Sequence, residues 1–426
     1  MLVIDNLTVE QVLTVPEVVD ALEHAHKALS TGDAINAPNY RVFTPRDGKD
    51  YGRKFPEGGN PTHHAFTSLT GAIRSLDVTS DRVDSDIITY VKRGQDMRQI
   101  RVPGTHDRKF CGMIYLYSSK TGELLAMIHD GYLQKFRVAG TAAIGTKYLA
   151  RKNAKVMGLI GTGWQAQAQV LCQPAVRDLE RIKVYSPTPG HSTEFARRWG
   201  NEAGVEIVPV NSAREACEGS DFIITATNAP QAVVKADWLE PGQFITGVKD
   251  QELEMTGWEK CDQVVVNRHG AFWQRYAIGG VEVIPEHGAD RIGKPSEKIN
   301  WSEVPILGDV VTGKHPGRTS DDQIIGLIIG GDGVQFTAVG ARIYKLCKER
   351  GLGVDLPREL FLQDEKFGHC FLITKLLPPN LANFFVPHSI ITKLEYLILN
   401  HLFGHCFLIT KSKSRAFPHW RVVQSI

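Results

Sequence analysis

Gly161 and Gly163 stand between the run Lys155-Val156-Met157-Gly158-Leu159-Ile160 and the segment Trp164-Gln165-Ala166-Gln167-Ala168-Gln169, which contains neither glycine nor proline. That order reads as strand, tight turn and helix. Gly161 lets the chain turn, and Gly163 lets main-chain N–H groups come close to a ligand. The helix aims its unpaired N–H groups and positive dipole end at the same place, which suits a pyrophosphate. Ala166 occupies the third glycine position of G-x-G-x-x-G, where only a small side chain is needed. A glycine pair alone would be an ordinary turn. With its strand and helix present, Gly161, Thr162, Gly163, Gln165 and Ala166 are expected to cradle a dinucleotide. At the end of the next strand, where an NAD-preferring site carries an acid for the ribose, the chain has Ser186-Pro187-Thr188. Ser186 and Thr188 leave NAD or NADP both open, and the nearest cations, Arg197 and Arg198, lie a helix away.

Several elements must position that turn. Residues Arg181–Ser186, Val205–Val210, Phe222–Thr227, Gln243–Gly247 and Gln263–Val266 read as strands, with helical segments such as Ser192–Trp199 and Ala213–Glu218 between them. Strand and helix in alternation predict an α/β fold with a doubly wound parallel sheet. Before the turn, residues 1–30 read as a strand followed by helix. Asp77–Tyr90 alternates charged and β-prone residues, which predicts a strand with one wet face. Phe110–Tyr117 and Leu124–Ile128 flank a polar turn and predict a hairpin, so this first part is mixed, with an antiparallel sheet. Gly131–Ala150 reads as a long helix. After the parallel strands, Ile324–Gly330 and Gln335–Leu346 read as a helix pair returning to the first part.

The 426 residues suffice for two domains and a further piece. A net charge of +2 without basic runs argues against nucleic acid or a polybasic membrane surface. No signal peptide and no apolar stretch of spanning length is visible, so a cytoplasmic protein is expected. The 7 cysteines are scattered without C-x-x-C spacing and read as reduced thiols, with no metal site. Beyond Gln363 the pattern fails: Phe367–Lys375 recurs identically as Phe403–Lys411. Two His-Cys pairs could supply metal ligands, but adjacent ligands lack zinc-site spacing, and a tail with little structure is the expectation.

Arg137-Val138-Ala139-Gly140-Thr141-Ala142-Ala143, Gly161-Thr162-Gly163-Trp164-Gln165-Ala166, Thr225-Ala226-Thr227-Asn228 and Pro316-Gly317-Arg318-Thr319-Ser320-Asp321-Asp322 together resemble the ornithine cyclodeaminase/μ-crystallin family. The likeness spans residues 1–363 and leaves the tail unmatched. It implies a Rossmann-type sheet at 131–312 and a discontinuous, mixed α+β substrate-binding and dimerisation domain. That domain would comprise residues 1–130 and the C-terminal helices at 313–363, with 364–426 as the tail. By the same likeness Arg41, Arg82 and Arg137 would hold a substrate carboxylate. Arg82 stands where the family commonly has lysine, and an arginine does not readily give up a proton. Asp250 would attend the reacting amine, with Glu252 matching the glutamate that follows, in a loop shorter than is usual. Thr227 and Asn228 would line the nicotinamide side.

The plain alternatives are a solvated Arg41, a structural ion pair for Arg137 and an exposed acid for Asp250. The resemblance implies a small amino- or imino-acid substrate and a homodimer, with neither nucleic acid nor membrane as partner. The function it favours is hydride transfer as an amino-acid dehydrogenase or ketimine reductase. A cyclodeaminase that returns the hydride internally, and a non-catalytic NADP-dependent carrier, are the alternatives.

Overall fold

The computed structural model describes residues 1–46, 62–93, 96–103, 109–229, 231–269, 274–278, 296, 298–363, 409–410 and 421–422. Met1–Leu362 form one compact unit and Gln363–Ile426 a second. The first opens with β1 (Leu2–Ile4), α1 (Asn6–Val12) and α2 (Val15–Thr31). Asp5 caps α1 by accepting from the Thr8 N–H at 2.8 Å, and α2 stops at Gly32, whose φ of 73° favours glycine. Next come β2 (Ala34–Asn36), β3 (Tyr40–Arg46), β4 (Thr62–Ile73), β5 (Val78–Arg93), β6 (Asp96–Val102), β7 (Cys111–Ser118) and β8 (Leu124–His129). Then α3 (Gly131–Leu149) leads into β9 (Val156–Ile160), α4 (Trp164–Cys172), β10 (Arg181–Tyr185) and α5 (His191–Ala203). These are followed by β11 (Glu206–Pro209), α6 (Ala213–Cys217), β12 (Phe222–Thr225), β13 (Phe244–Gly247), α7 (Met255–Lys260) and β14 (Gln263–Val266). The unit ends with β15 (Gln274–Ala277), α8 (Leu307–Val311), β16 (Ile325–Ile328), α9 (Gly333–Arg350) and β17 (Val354–Asp355).

Two sheets result. One has 10 strands in the order β15-β3-β4-β5-β7-β8-β1-β17, with β2 also on β4 and β6 also on β5; its centre is antiparallel. The other has 7 strands in the order β11-β10-β9-β12-β13-β16-β14, all parallel. The parallel sheet is doubly wound, as the alternation predicts, with its switch point between β9 and β12. Its strands are short apolar runs because both faces are covered, and Phe222, Ile224, Phe244 and Leu327 are fully buried.

Two expectations need correction. Ile324–Gly330 is not a helix: Ile325–Ile328 is β16, inserted between β13 and β14. An apolar run of that length fits a buried strand as well as a helical turn, and periodicity cannot separate them. Nor is the charged face of β5 wet. Ser80, Arg82, Asp84 and Asp86 are all at most 5% exposed, and the charges face inward. In the second unit the described residues are Gln363 and the strands β18 (Ile409–Thr410) and β19 (Arg421–Val422), which pair with each other. Apart from Ile409 and Thr410, both nonapeptide copies lie outside the described residues, as do Cys370 and Cys406.

Besides α4, whose start follows the glycine turn, α3 and α9 concern the site directly. α3 carries the chain from β8 to β9, and α9 carries it from β16 back onto β4 and β5. At its start α9 meets β4 backbone to backbone: a Cβ on Gly333 would lie 2.2 Å from the Thr70 carbonyl, and one on Gly71 2.4 Å from the Val334 nitrogen. Gly333→Ala is therefore expected to destabilise the protein by about 1–3 kcal/mol through overpacking, read as a lower denaturation midpoint. An unchanged midpoint would mean that the helix is not seated so closely.

Candidate active site

The turn after β9 has the features a diphosphate needs. Gly161 has φ 118°, and a Cβ there would lie 2.3 Å from the Ala226 carbonyl oxygen, so the loops after β9 and β12 press together at the switch point. A Cβ on Gly163 would meet nothing within 4 Å, so no protein group requires that glycine, and the space over it is open. Gly163 is the N-cap of α4 and no side chain caps this helix, which leaves its first N–H groups to a ligand. Ala166 is fully buried against the sheet. The Gln165 Oε1 atom is buried without a hydrogen-bond partner among the described residues. An orphaned acceptor beside an uncapped helix start fits a bound nucleotide. Ser186 and Thr188 follow β10 on the same edge, joined by the Thr188 N–H donating to Ser186 Oγ at 3.4 Å.

Against this turn lies a cavity of about 330 Å³. Arg137 from α3, Arg101 from β6, Trp164 and Gln165 from the first turn of α4, Val248 after β13 and Gly330 after β16 contribute to its lining. Arg137 is 9% exposed; its Nε donates to Gln134 Oε1 at 3.3 Å and its Nη1 to Gln335 Oε1 at 3.1 Å. Gln335 also donates to Thr141 Oγ1 at 3.1 Å, so the two crossing helices are joined where the guanidinium sits. Arg82 lies deeper. Its Nε donates to Asp130 Oδ2 at 2.6 Å, and its Nη2 pairs with Asp130 at 2.6 Å and Asp84 at 2.5 Å. Both guanidiniums lie 5.0 Å from the centre of the Phe336 ring. Asp130 reaches Arg82 past Gly112 of β7, where any Cβ would stand 2.2 Å from the carboxylate.

The electrostatics follow from burial. Burial pulls the Arg82 guanidinium down, but Asp130 and Asp84 more than offset this, and its pKa is raised overall. Arg137 has only amide partners and Arg82 nearby, so burial first and like charge second bring it down to about 10, still cationic at neutral pH. Asp86 is raised to about 6 by burial, to which Asp84 adds and which Arg101, Arg82 and Arg41 oppose. Asp332, fully buried at the start of α9, is also raised to about 6 by burial, against the pull of Arg268 and Arg137. It pairs with Arg268 and accepts from Asn267, which also holds Gly330 through both main-chain groups.

Among the residues expected from sequence, Arg137 and Gln165 share the cavity. Arg82 is engaged by two carboxylates behind it. Arg41, on β3, donates through Nε to Thr67 Oγ1 at 2.8 Å and is not part of the cavity wall. Asp250 begins a short 3-10 turn, two residues beyond Val248; its carbonyl accepts from the Trp258 indole at 2.9 Å. Glu252 is fully buried and gathers two loops: it accepts from Thr225 Oγ1 at 2.9 Å, from the Thr227 N–H at 2.7 Å, from Thr227 Oγ1 at 2.5 Å and from the Lys249 N–H at 3.2 Å. Burial raises its pKa despite these donors. Thr227 is thus held at the end of β12, beside an exposed Asn228.

The motif Pro316–Asp322 has a structural task, since Arg318 donates to the carbonyls of Leu149 at 2.8 Å and Gln323 at 2.6 Å. Sequence reasoning missed Arg101, Asp130, Gln335 and Asp332. The signal available was the spacing of Arg82, Asp84 and Asp86, which puts all three on one face of a strand.

Comparison with known proteins agrees with this geometry. The profile of the ornithine cyclodeaminase/mu-crystallin family matches residues 104–350. A putative dehydrogenase of Rhizobium meliloti is 29% identical over 276 residues, covering 63% of this chain and 82% of that protein. A Delta(1)-pyrroline-2-carboxylate reductase of Bacillus cereus is 30% identical over 248 residues, covering 57% of this chain and 73% of its own. Among solved structures, the Delta(1)-pyrroline-2-carboxylate reductase of Thermococcus litoralis, in complex with NADH and L-proline, has the same fold. It superposes with a TM-score of 0.65 at 24% identity, covering 84% of this chain and 100% of that one. An archaeal alanine dehydrogenase dimer with bound NAD superposes at 0.64 and 23% identity, over 84% of this chain and 99% of its own. With the profile extending over more than half of its length, the chain belongs to the ornithine cyclodeaminase/mu-crystallin family.

Proposed function

We propose that this protein is an NAD(P)-dependent oxidoreductase acting on the C–N bond of an amino acid or a cyclic imino acid. The observation that carries the reading is the shared cavity: Arg137 and the Gln165 of the dinucleotide turn line the same small volume. A buried guanidinium offers a carboxylate a planar, charged fork, and it fixes the α-carbon one bond away. When bound, the nicotinamide supplies or accepts the hydride. Val138, Val248 and Ile329 form apolar wall around that carbon and exclude water. We assign the amine proton to Asp250, on the loop that carries Val248 to the cavity. Arg41 adds positive potential behind the carboxylate, Arg82 holds up the Phe336 ring against which Arg137 packs, and Thr227 and Asn228 border the nicotinamide side. The relatives that reduce pyrroline-2-carboxylate or oxidise alanine, by name, support the same chemistry.

The reading includes the family's two-part organisation: 1–130 with 313–363 for substrate and dimerisation, and 131–312 for the nucleotide, with β16 reassigned to the nucleotide part. A homodimer is supported by exposed aromatics in neighbouring strands: Tyr276 of β15 and Phe66 of β4 flank the half-buried Val42 of β3 in one row, with Tyr40 two residues along. No helix among the described residues is long and apolar enough to cross a membrane. The cysteines among the described residues are unpaired, and Cys172, Cys217 and Cys347 are buried, which supports a reducing compartment, and we place the protein in the cytoplasm.

Incubation with amino acids or cyclic imines and either nicotinamide nucleotide is expected to change nicotinamide absorbance stoichiometrically with turnover. Turnover without net change would instead mean that the hydride returns to the substrate. Arg137→Ala is expected to lower kcat/KM by roughly 100-fold, the scale of a buried charged contact. Asp250→Asn should lower kcat more than it raises KM; an unchanged kcat would remove Asp250 from proton handling.

Carboxylate binding carries a pH signature. As pH falls through about 6, Asp86 and Asp332 take up protons and leave Arg101 and Arg137 less compensated. Affinity for a carboxylate inhibitor is therefore expected to rise, by roughly fivefold between pH 7.5 and 5.5, and to rise less in Asp86→Asn. Affinity that falls over this range would contradict the assignment.

A further inference from the structure

The cavity has two guanidiniums where a simple amino acid needs one. They reach it from different elements, Arg137 from α3 and Arg101 from β6. Arg137 has amide partners but no carboxylate among the described residues, and its Nη2 donates to none of them. Arg101 is fixed from behind: its Nε lies 3.2 Å from Asp86 Oδ2 and its Nη2 3.5 Å from Asp84 Oδ2. Those two acids are buried and stand on one face of β5, whereas the Arg101 side chain is 44% exposed. A mobile surface arginine would have no such support. Here two carboxylates steer the head group, and its remaining edge, Nη1, has no partner among the described residues.

The rest of the wall is equally informative. Among the described residues no Asp or Glu lines the cavity, so a substrate side chain ending in an ammonium group would find no counter-charge there. An apolar side chain would leave the Nη1 edge of Arg101 facing the cavity with nothing but solvent to accept from it. A second carboxylate would satisfy it. The cavity volume, about 330 Å³, is at the small end of ligand pockets and suits a short acid.

We propose that the substrate is a short amino or imino acid with a carboxylate at the end of its side chain, and that Arg101 receives this second carboxylate while Arg137 holds the first. The proposal rests on the oxidoreductase reading and narrows it to a substrate class. Arg101 is a specificity residue: Asp84 and Asp86 set its direction, and the direction selects the side chain.

The test compares 2-oxoglutarate with its neutral counterpart, the 5-amide, each with ammonia and NAD(P)H. The oxo acid and ammonia condense with loss of water to an imine, which takes a hydride from the coenzyme and a proton passed on from solvent by Asp250. Wild-type protein is expected to prefer the dicarboxylate by at least tenfold in kcat/KM. Arg101→Gln should bring that ratio close to one, and Arg101→Lys should restore part of it. A wild-type ratio at or below one overturns the proposal without reference to any variant, as does a ratio that Arg101→Gln leaves unchanged. If neither compound turns over, the screen of amino acids and cyclic imines decides the oxidoreductase reading, and calorimetry with glutarate against butyrate decides the substrate class. Tighter glutarate binding that Arg101→Gln abolishes supports the second carboxylate site, and equal binding of the two acids overturns it.

Discussion

Everything at the site depends on one buried guanidinium and the two carboxylates that hold it. Arg82 is withdrawn from water on a strand in the middle of the ten-stranded sheet, and Asp130 and Asp84 keep it there. Taking a guanidinium out of water is expensive, and removing one partner of such a group typically costs about 3–5 kcal/mol. The structure accommodates the cluster in detail. Gly112 supplies the gap through which Asp130 enters, Phe336 presents its ring to the guanidinium, and α9 seats on the two glycines that bring Phe336 close. Arg137 then meets the same ring from α3. With Arg82 neutralised, Arg137 is a buried cation of the cavity that no acid among the described residues contacts, which makes it available to an anion.

Much of this arrangement can be read in the chain itself, and the parts that cannot share a cause. The turn from Gly161 to Ala166 is legible because strand, turn and helix are neighbours in sequence, and each glycine has a local reason. The hairpin before α3 and the long helix itself are legible for the same reason. The inward face of β5 is not, because alternation says only that two faces differ; which one is wet depends on a partner far away in sequence. Here that partner is α9, which covers the charged face and leaves Val83 and Ser85 on the other. β16 is a comparable case. A short apolar run is compatible with strand or helix until its neighbours β13 and β14 are known.

Site residues divide along the same line. Arg137 and Gln165 are found from sequence because they belong to motifs that are continuous in the chain. Arg101, Gln335 and Asp332 enter the site by tertiary contact alone, and nothing beside them in sequence marks them out. Glu252 is an intermediate case: its place in the loop is visible, but its task is not. It stands fully buried, a carboxylate raised by desolvation and retained by four donors from two loops.

That last arrangement restricts how such a protein can be altered. The segment after β12 and the segment after β13 are bolted to one acid, and Gly247 must remain bare because a Cβ there would lie 2.0 Å from Thr225 Oγ1. Neither segment can be exchanged on its own without orphaning the other's donors. New specificities in this scaffold would have to be acquired by transplanting both pieces together, as a cassette, or by leaving both alone and changing the opposite bank of the cleft.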